Sequence, residues 1–259
     1  MFPLQDSIPH RSPPVATWIL IGLNALAFWF ELRLGPEALE ALIYRAGVVP
    51  ARYAYPGWAE AAGLDPRAWW PFLTCMFLHG GWAHFLGNMW TLWIFGDNVE
   101  DRMGRLRFLV FYLLCGLAAS VVHVALNAES TVPVIGASGA ISGVMGAYYL
   151  LFPHSRIILM VPVLIFPFFF DVPAVVYLAF WFALQLFSGS LSLLQDPAAG
   201  GVAFWAHVGG FAAGMLLLPF FLLGRRPWRP LMPDEGCLEC SWHRRPFGPS
   251  RTHSRPRHG

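Results

Sequence analysis

Charge is scarce in this chain. Only 12% of its 259 residues are charged, whereas 56% are hydrophobic. A soluble domain carries about 25% charged residues, and half that share leaves too little polar surface to cover a globule of this length. The high hydrophobicity also excludes an intrinsically disordered chain. The composition therefore predicts an integral membrane protein that has the lipid bilayer as its partner.

Lysine is absent, and all 17 basic residues are arginine. We interpret this as the coding bias of a GC-rich genome. The arginines form no basic stripe interleaved with exposed aromatic residues, so no nucleic-acid partner is expected. Cysteine is scarce as well, and four scattered residues are too few for a disulfide framework. Cys75 and Cys115 lie in apolar runs, where buried and inert thiols are expected.

Long charge-free stretches predict membrane-spanning helices, each of which needs about 20 mostly apolar residues. The predicted spans are residues 15–30, 75–95, 108–128, 131–151, 172–194 and 202–223. A further apolar stretch, 157–170, is short and contains Pro162 and Pro167, so we expect an interfacial segment there. The predicted fold class is an all-α polytopic membrane protein, a bundle of six transmembrane helices.

Arginine is distributed unevenly around these spans. Thirteen arginines fall on the side that holds both termini and four on the other side, which predicts that both termini are cytoplasmic. Three parts follow: a short N-terminal segment (1–14), the membrane domain (15–223) and an Arg/Pro-rich cytoplasmic tail (224–259) that is expected to be disordered. Because no transit peptide is recognisable and arginine replaces lysine, the expected location is the bacterial inner membrane, with an organellar membrane as the alternative.

The tail contains one pattern typical of metal ligands. Cys237 and Cys240 form a CxxC pair, and His243 follows three residues later. Two thiolates and an imidazole can supply three of the four ligands of a zinc site. A single CxxC without a second pair is a weak motif, so we expect unligated reduced thiols and no cofactor, with zinc as the alternative.

Four polar residues stand out within the predicted spans, where a polar side chain is costly unless it has a partner or a function. His84 and Asn88 lie one turn apart in the second span, Ser138 lies in the fourth and His207 in the sixth. These spans all run from the outside to the inside. We therefore expect the four side chains at a similar depth in the outer half of the membrane.

Small residues favour contact between the fourth and sixth spans. Residues 136–143 (GASGAISG) open the fourth span, and Gly210 and Gly214 follow His207; such faces let helices approach closely in lipid. A serine becomes nucleophilic when an imidazole removes its proton. The pattern therefore predicts a Ser138–His207 dyad, with His84, Asn88 and the Ser138 backbone N–H as candidate oxyanion donors.

The residues around these positions resemble rhomboid intramembrane serine proteases. The segments that carry the resemblance are 79–88 (HGGWAHFLGN), 136–139 (GASG), 206–210 (AHVGG), 95–104 (FGDNVEDRMG) and, in the fifth span, Trp181 with Gln185 and Gly189. The resemblance implies a compact six-helix rhomboid-like bundle with a cavity that is open to the outside.

The resemblance also implies roles for individual residues. Ser138 corresponds to the nucleophile and His207 to the general base, while His84 and Asn88 correspond to the oxyanion-stabilising pair. Gly136 corresponds to a glycine near the oxyanion site. The implied activity is a serine endopeptidase that cleaves single-pass membrane proteins near the outer end of their transmembrane helix.

Further matches suggest structural roles. His79 corresponds to a structural histidine near the first loop, and Glu100 with Arg102 to a stabilising polar cluster at the cytoplasmic end.

Two departures from the family pattern affect the surroundings of the site. Residues 67–71 read RAWWP, where many members have Trp-Arg, so the anchoring of the first loop is expected to differ. Ser142 stands where some members have a tyrosine beneath the general base. Tyr148 and Trp205 are the sequence candidates for holding the His207 ring instead.

Two other function classes remain alternatives. One is a proteolytically inactive relative that binds transmembrane segments, although such relatives usually lack the nucleophile or the base. The other is a metal-dependent enzyme that uses His79, His84 and His207, although the spacing of five between the first two does not place them on one helix face. A transporter is a weaker alternative, since paired charges across the spans are lacking.

Overall fold

The computed structural model describes residues 2–163, 166–194, 196 and 201–225. The candidate zinc ligands Cys237, Cys240 and His243 lie outside the described residues, as does all of the predicted tail beyond residue 225. The zinc site and the disorder expected for the tail therefore stay predictions.

Helices form most of the described chain. The α-helices are α1 (Val15–Glu31), α2 (Pro36–Ala46), α3 (Pro50–Ala54), α4 (Pro56–Ala61), α5 (Pro71–Thr74), α6 (Trp82–Met103), α7 (Arg105–Leu126), α8 (Ser138–Leu151), α9 (Ala174–Ser192) and α10 (Phe204–Leu222). A short 3₁₀-helix, Cys75–Phe77, follows α5. The strands are β1 (Phe2–Asp6), β2 (Arg156–Val163) and β3 (Phe166–Pro173).

Each of the six predicted spans overlaps one of the longer helices, namely α1, α6, α7, α8, α9 or α10. Within the described part of the chain, three of them, α7, α9 and α10, are long and apolar enough to cross a membrane by length and composition. Helix α1 is apolar but has 17 residues, and α8 has 14. The number of six spans therefore stays a prediction.

Two helix starts differ from the predicted spans. The predicted second span begins at residue 75, but α6 begins at Trp82, because Gly81 before it has a φ of +145° that a right-handed helix cannot contain. The predicted fourth span begins at residue 131, but α8 begins at Ser138, and Gly136 before it has a φ of +126°. Both glycine-rich runs are therefore helix entrances, and Ser138 is the first residue of its helix.

The fold is mostly helical, as predicted, but it is not all-α, because the described chain also includes a three-stranded antiparallel sheet in the order β1-β2-β3. The stretch expected as an interfacial segment supplies most of β2 and β3 through residues 157–163 and 166–170, and Pro162 pairs with Pro167. Proline lacks a backbone N–H and breaks a helix, whereas the β-branched and aromatic residues of this stretch favour strands. The predicted N-terminal segment supplies β1.

The N-terminal segment is also fixed to the helices by buried hydrogen bonds. The Asp6 carboxylate accepts a hydrogen bond from Asn98 Nδ2 at 2.7 Å and another from the Tyr148 hydroxyl at 2.6 Å. Asp6 is 9% exposed. These contacts connect β1 to α6 and to the C-terminal half of α8.

Glu100 caps the start of α1 from the neighbouring helix. Its carboxylate accepts hydrogen bonds from the backbone N–H groups of Ala16 and Thr17 at 3.0 and 2.8 Å, and from the Thr17 hydroxyl at 2.9 Å. These N–H groups have no partner within their own helix. Glu100 and Arg102 are both buried, which agrees with the predicted polar cluster at this end of the bundle.

Helices α7, α8 and α10 pack with very little space between them. A Cβ atom added to Gly210 would lie 2.0 Å from the Gly139 carbonyl oxygen, and one added to Gly139 would lie 2.7 Å from Ala119 Cβ. The predicted contact between the fourth and sixth spans is therefore confirmed. It sets the distance between the helices that carry Ser138 and His207.

Candidate active site

Ser138 and His207 are in direct contact. Ser138 Oγ lies 2.8 Å from His207 Nε2, within hydrogen-bond distance. Ser138 is the first residue of α8 and His207 lies in the first turn of α10. The glycine contacts between these helices therefore fix the position of both side chains. One turn further along α8, the Ser142 hydroxyl donates to the Ser138 carbonyl oxygen at 2.7 Å, an ordinary intrahelical bond.

The other side of the His207 ring contacts α9. His207 Nδ1 lies 2.8 Å from Gln185 Oε1, and the Trp181 ring lies 5.9 Å from the His207 ring between centroids, with the two planes at 34°. Trp181 and Gln185 are one turn apart, so the same face of α9 supplies both contacts.

The two sequence candidates for holding this ring make other contacts. Tyr148 donates to Asp6 at 2.6 Å and lies 2.9 Å from Ser155 Oγ, because it is near the far end of α8. Trp205 donates from its indole nitrogen to the Gly189 carbonyl oxygen at 3.0 Å. The contacts that the structure shows to the His207 ring on this side come from Gln185 and Trp181 instead.

Gly136, His84 and Asn88 lie next to each other beside Ser138. A Cβ atom added to Gly136 would fall 2.6 Å from His84 Nε2 and 3.6 Å from Asn88 Nδ2. The absence of a side chain at Gly136 is what leaves room for these two polar groups. The backbone N–H of Gly136 donates to the Cys75 carbonyl oxygen at 2.8 Å, so that donor is already engaged.

Contacts with the backbone define the donor atom of His84. The Gly80 N–H donates to His84 Nδ1 at 3.3 Å, so Nδ1 is the acceptor and the neutral ring carries its proton on Nε2. The Asn88 side chain is 7% exposed, and its Nδ2 has no hydrogen-bond partner among the described residues. Two N–H donors, His84 Nε2 and Asn88 Nδ2, therefore lie beside Gly136.

These residues border a cavity of about 780 Å³. Its lining comes from the N-terminal ends of α6, α8 and α10, the C-terminal ends of α7 and α9, and the segment from Asn127 to Ile135. Ser138, His207, His84 and Asn88 all contribute to the wall. The cavity is large enough for several residues of an extended peptide.

His79 lies behind this site and is 2% exposed. Its backbone N–H donates to the Glu31 carboxylate at 3.1 Å, and its ring lies 5.2 Å from the His84 ring. This agrees with a structural histidine. Over the ranges that the structure describes, no three His, Cys, Asp or Glu side chains are grouped as metal ligands, so no geometric observation favours a metal site of His79, His84 and His207.

Two polar residues that had no predicted role are brought to the site by the fold. Gln185 contacts His207, and His123, which is 8% exposed, lines the cavity from α7. Each is a polar side chain in a predicted span, and that alone is a signal of a partner or a function. Their partners lie on other helices and are not readable from spacing.

Comparison with known proteins agrees with this architecture. The family model described as the Rhomboid domain matches residues 66–224, more than half of the chain. The chain therefore belongs to the rhomboid family. With its apolar helices, this makes it an integral membrane protein.

Similar proteins occur in bacteria, plants and fungi. The chain is 33% identical over 144 residues to Rhomboid protease GluP of Bacillus subtilis (strain 168), covering 55% of this chain and 26% of that protein. It is 35% identical over 148 residues to RHOMBOID-like protein 4 of Arabidopsis thaliana, covering 57% and 33%. It is 31% identical over 150 residues to Rhomboid protein 1, mitochondrial, of Saccharomyces cerevisiae (strain ATCC 204508 / S288c), covering 54% and 38%. The matched region thus spans less than half the length of each of these three relatives.

Proposed function

We propose that this protein is an intramembrane serine endopeptidase in which Ser138 is the nucleophile and His207 the general base. The observation that carries the proposal is the 2.8 Å contact between Ser138 Oγ and His207 Nε2 at the wall of a cavity. His207 Nε2 accepts the hydroxyl proton as Ser138 Oγ attacks the carbonyl carbon of the peptide bond. The protonated ring then donates this proton to the departing amine, and a water molecule hydrolyses the acyl-enzyme by the same route.

The oxyanion formed in this reaction needs donors that are already in position. In the proposed mechanism these are His84 Nε2–H, Asn88 Nδ2–H and the backbone N–H of Ser138, which is at the N-terminus of α8. The helix dipole adds a partial positive charge at this position. Gly136 provides space for the two side chains, since its own N–H bonds to Cys75.

The proposed substrates are single-pass membrane proteins, cleaved near the outer end of their transmembrane helix. A peptide bond within a helix is shielded by the adjacent turns, so the substrate must unwind locally to enter the cavity. The proposal includes cytoplasmic termini and the bacterial inner membrane, as the arginine distribution favours. The mechanism requires no metal ion or other cofactor.

Cleavage of a tagged single-pass substrate in liposomes tests this proposal. We expect Ser138→Ala and His207→Ala each to abolish cleavage, and a metal chelator to leave it unchanged. Ser190→Ala is the matched control, because the Ser190 hydroxyl is exposed and donates only to the Leu186 carbonyl oxygen of its own helix. Cleavage that persists in Ser138→Ala, or that the chelator abolishes, would contradict the proposal. Substrate that binds without being cleaved by the unmodified protein would indicate the inactive, binding relative instead.

A further inference from the structure

We propose that Gln185 is a positioning residue that sets the tautomer and the rotation of His207. This rests on the proposed function, in which His207 is the general base. The contact that carries the inference is the 2.8 Å distance between Gln185 Oε1 and His207 Nδ1. It lies on the side of the ring opposite to the nitrogen that faces Ser138.

The orientation of the Gln185 amide follows from its second contact. Gln185 Nε2 donates to the carbonyl oxygen of Trp181, one turn earlier in α9, at 3.4 Å. Turning the amide over would place its oxygen against that carbonyl oxygen, two acceptors facing each other. The oxygen of the amide is therefore the atom presented to His207, and it can only accept a hydrogen bond.

An acceptor at this position selects one form of the ring. His207 Nδ1 must carry a proton to donate to Gln185 Oε1, so in the neutral ring Nε2 has the free lone pair. Nε2 is the nitrogen 2.8 Å from Ser138 Oγ. The Gln185 contact thus favours the tautomer that can remove the proton of Ser138, and disfavours the one that cannot.

The helix that carries Gln185 is fixed beside this ring. The indole nitrogen of Trp205, two residues before His207, donates to the Gly189 carbonyl oxygen at 3.0 Å. A Cβ atom on Gly189 would lie 3.2 Å from the same indole ring, so α9 and α10 are closely packed at this position. In the rest of α9 only Ala174 and Leu178 are buried. The two contacts with α10 therefore hold Gln185 in register with His207.

Two substitutions separate this role from packing. Gln185→Met keeps the size and shape of the side chain and removes the acceptor. Gln185→Glu keeps an acceptor oxygen and replaces the neutral amide by a carboxyl group. If Gln185 only fills space, methionine is tolerated and glutamate is not; if it positions His207, the order is reversed. Leu186→Met is the matched control, since Leu186 is the next residue and is 38% exposed.

Two measurements distinguish positioning from substrate docking. One is the rate at which a fluorophosphonate probe labels Ser138, which needs an activated nucleophile and no docked transmembrane helix. The other is kcat and KM for cleavage of the single-pass substrate in liposomes.

We expect Gln185→Met to lower the labelling rate and kcat together by about 10- to 100-fold, with KM little changed. Gln185→Glu should restore most of both rates, and Leu186→Met should match the unmodified protein. Labelling of Gln185→Met at the normal rate would overturn the inference, as would a change confined to KM. A protein that is labelled normally but cleaves no substrate contradicts the proposed function alone, and the labelling rates of the variants still test Gln185.

Discussion

Gly214 of α10 lies directly against the backbone of Gly143 of α8. A Cβ atom added to Gly214 would fall 1.9 Å from the Gly143 carbonyl oxygen, closer than any two such atoms can approach. Gly143 is equally confined on its other side, where an added Cβ would lie 2.4 Å from Cys115 Cβ on α7. This three-helix contact lies below the Ser138–His207 pair, so the geometry of the candidate site depends on residues that have no role in the proposed chemistry.

Replacing Gly214 by alanine should therefore destabilise the protein and reduce its activity. Because the obstacle is a backbone atom, the helices must separate, and overpacking of this kind costs about 1–3 kcal/mol of unfolding free energy. The thermal unfolding midpoint in detergent and the cleavage rate measure the two effects. Gly22→Ala is the matched control, since Gly22 is also helical and an added Cβ there meets no atom within 4 Å. Equal midpoints for the two variants would contradict the prediction.

Asn88 should show the opposite relation between stability and activity. Its Nδ2 is buried without a partner among the described residues, and a buried unsatisfied donor costs about 1–3 kcal/mol. We expect Asn88→Leu to leave the unfolding midpoint unchanged or raise it, while kcat falls about 10²- to 10³-fold, as for loss of one oxyanion donor. A lower midpoint with unchanged kcat would show instead that Asn88 is a structural residue.

Asp6 should make the stability of the protein depend on pH. Burial raises the pKa of this carboxyl from 3.8 to about 7, although hydrogen bonds from Tyr148 and Asn98 oppose the shift. At a pH between these two pKa values, the Asp6 carboxyl is ionised in the unfolded chain but still protonated in the folded protein. The contribution of Asp6 is therefore fully present below pH 4 and is lost as the pH rises towards 7, at up to about 1.4 kcal/mol per pH unit.

The variant Asp6→Asn tests this dependence, because the amide cannot ionise. The unfolding midpoint of the unmodified protein should fall between pH 4 and pH 7 relative to that of Asp6→Asn. The difference between the two midpoints should therefore grow over this range and level off above pH 7. Unfolding curves of both proteins across this range provide the measurement. A constant difference at every pH would show that Asp6 does not titrate in this window.

Much of the candidate site follows from single residues in the sequence. A polar side chain in an apolar helix is costly, so Ser138, His207, His84 and Asn88 are conspicuous by residue type and position alone. The glycines after His207 predict the contact with α8 in the same direct way, since only small residues allow it. The contact between Ser138 and His207 and the packing of α8 against α10 agree with these inferences, because a bilayer makes composition itself informative.

The boundaries of the helices and strands were harder to predict from the sequence. Residues 75–81 and 131–137 are apolar enough to belong to spans. However, Gly81 and Gly136 have positive φ values, so α6 and α8 begin only after them. Residues 157–163 and 166–170 are apolar too, and they belong to a sheet because β2 pairs with β3 and with β1, which is at the N-terminal end of the described chain. Hydropathy does not distinguish a short apolar strand from a helix of similar length.

Residue types and their spacing are enough to place the chain in a membrane, to predict that Ser138 and His207 come together, and to pack α8 against α10 through glycine. The residues that contact the other side of the His207 ring were decided by the tertiary fold. Gln185 and Trp181 share one face of α9, but nothing in their spacing shows that this face meets His207 across 22 residues of chain. That contact is decided by the packing of α9 against α10, and such packing depends on the shape of two whole helices and not on a local pattern.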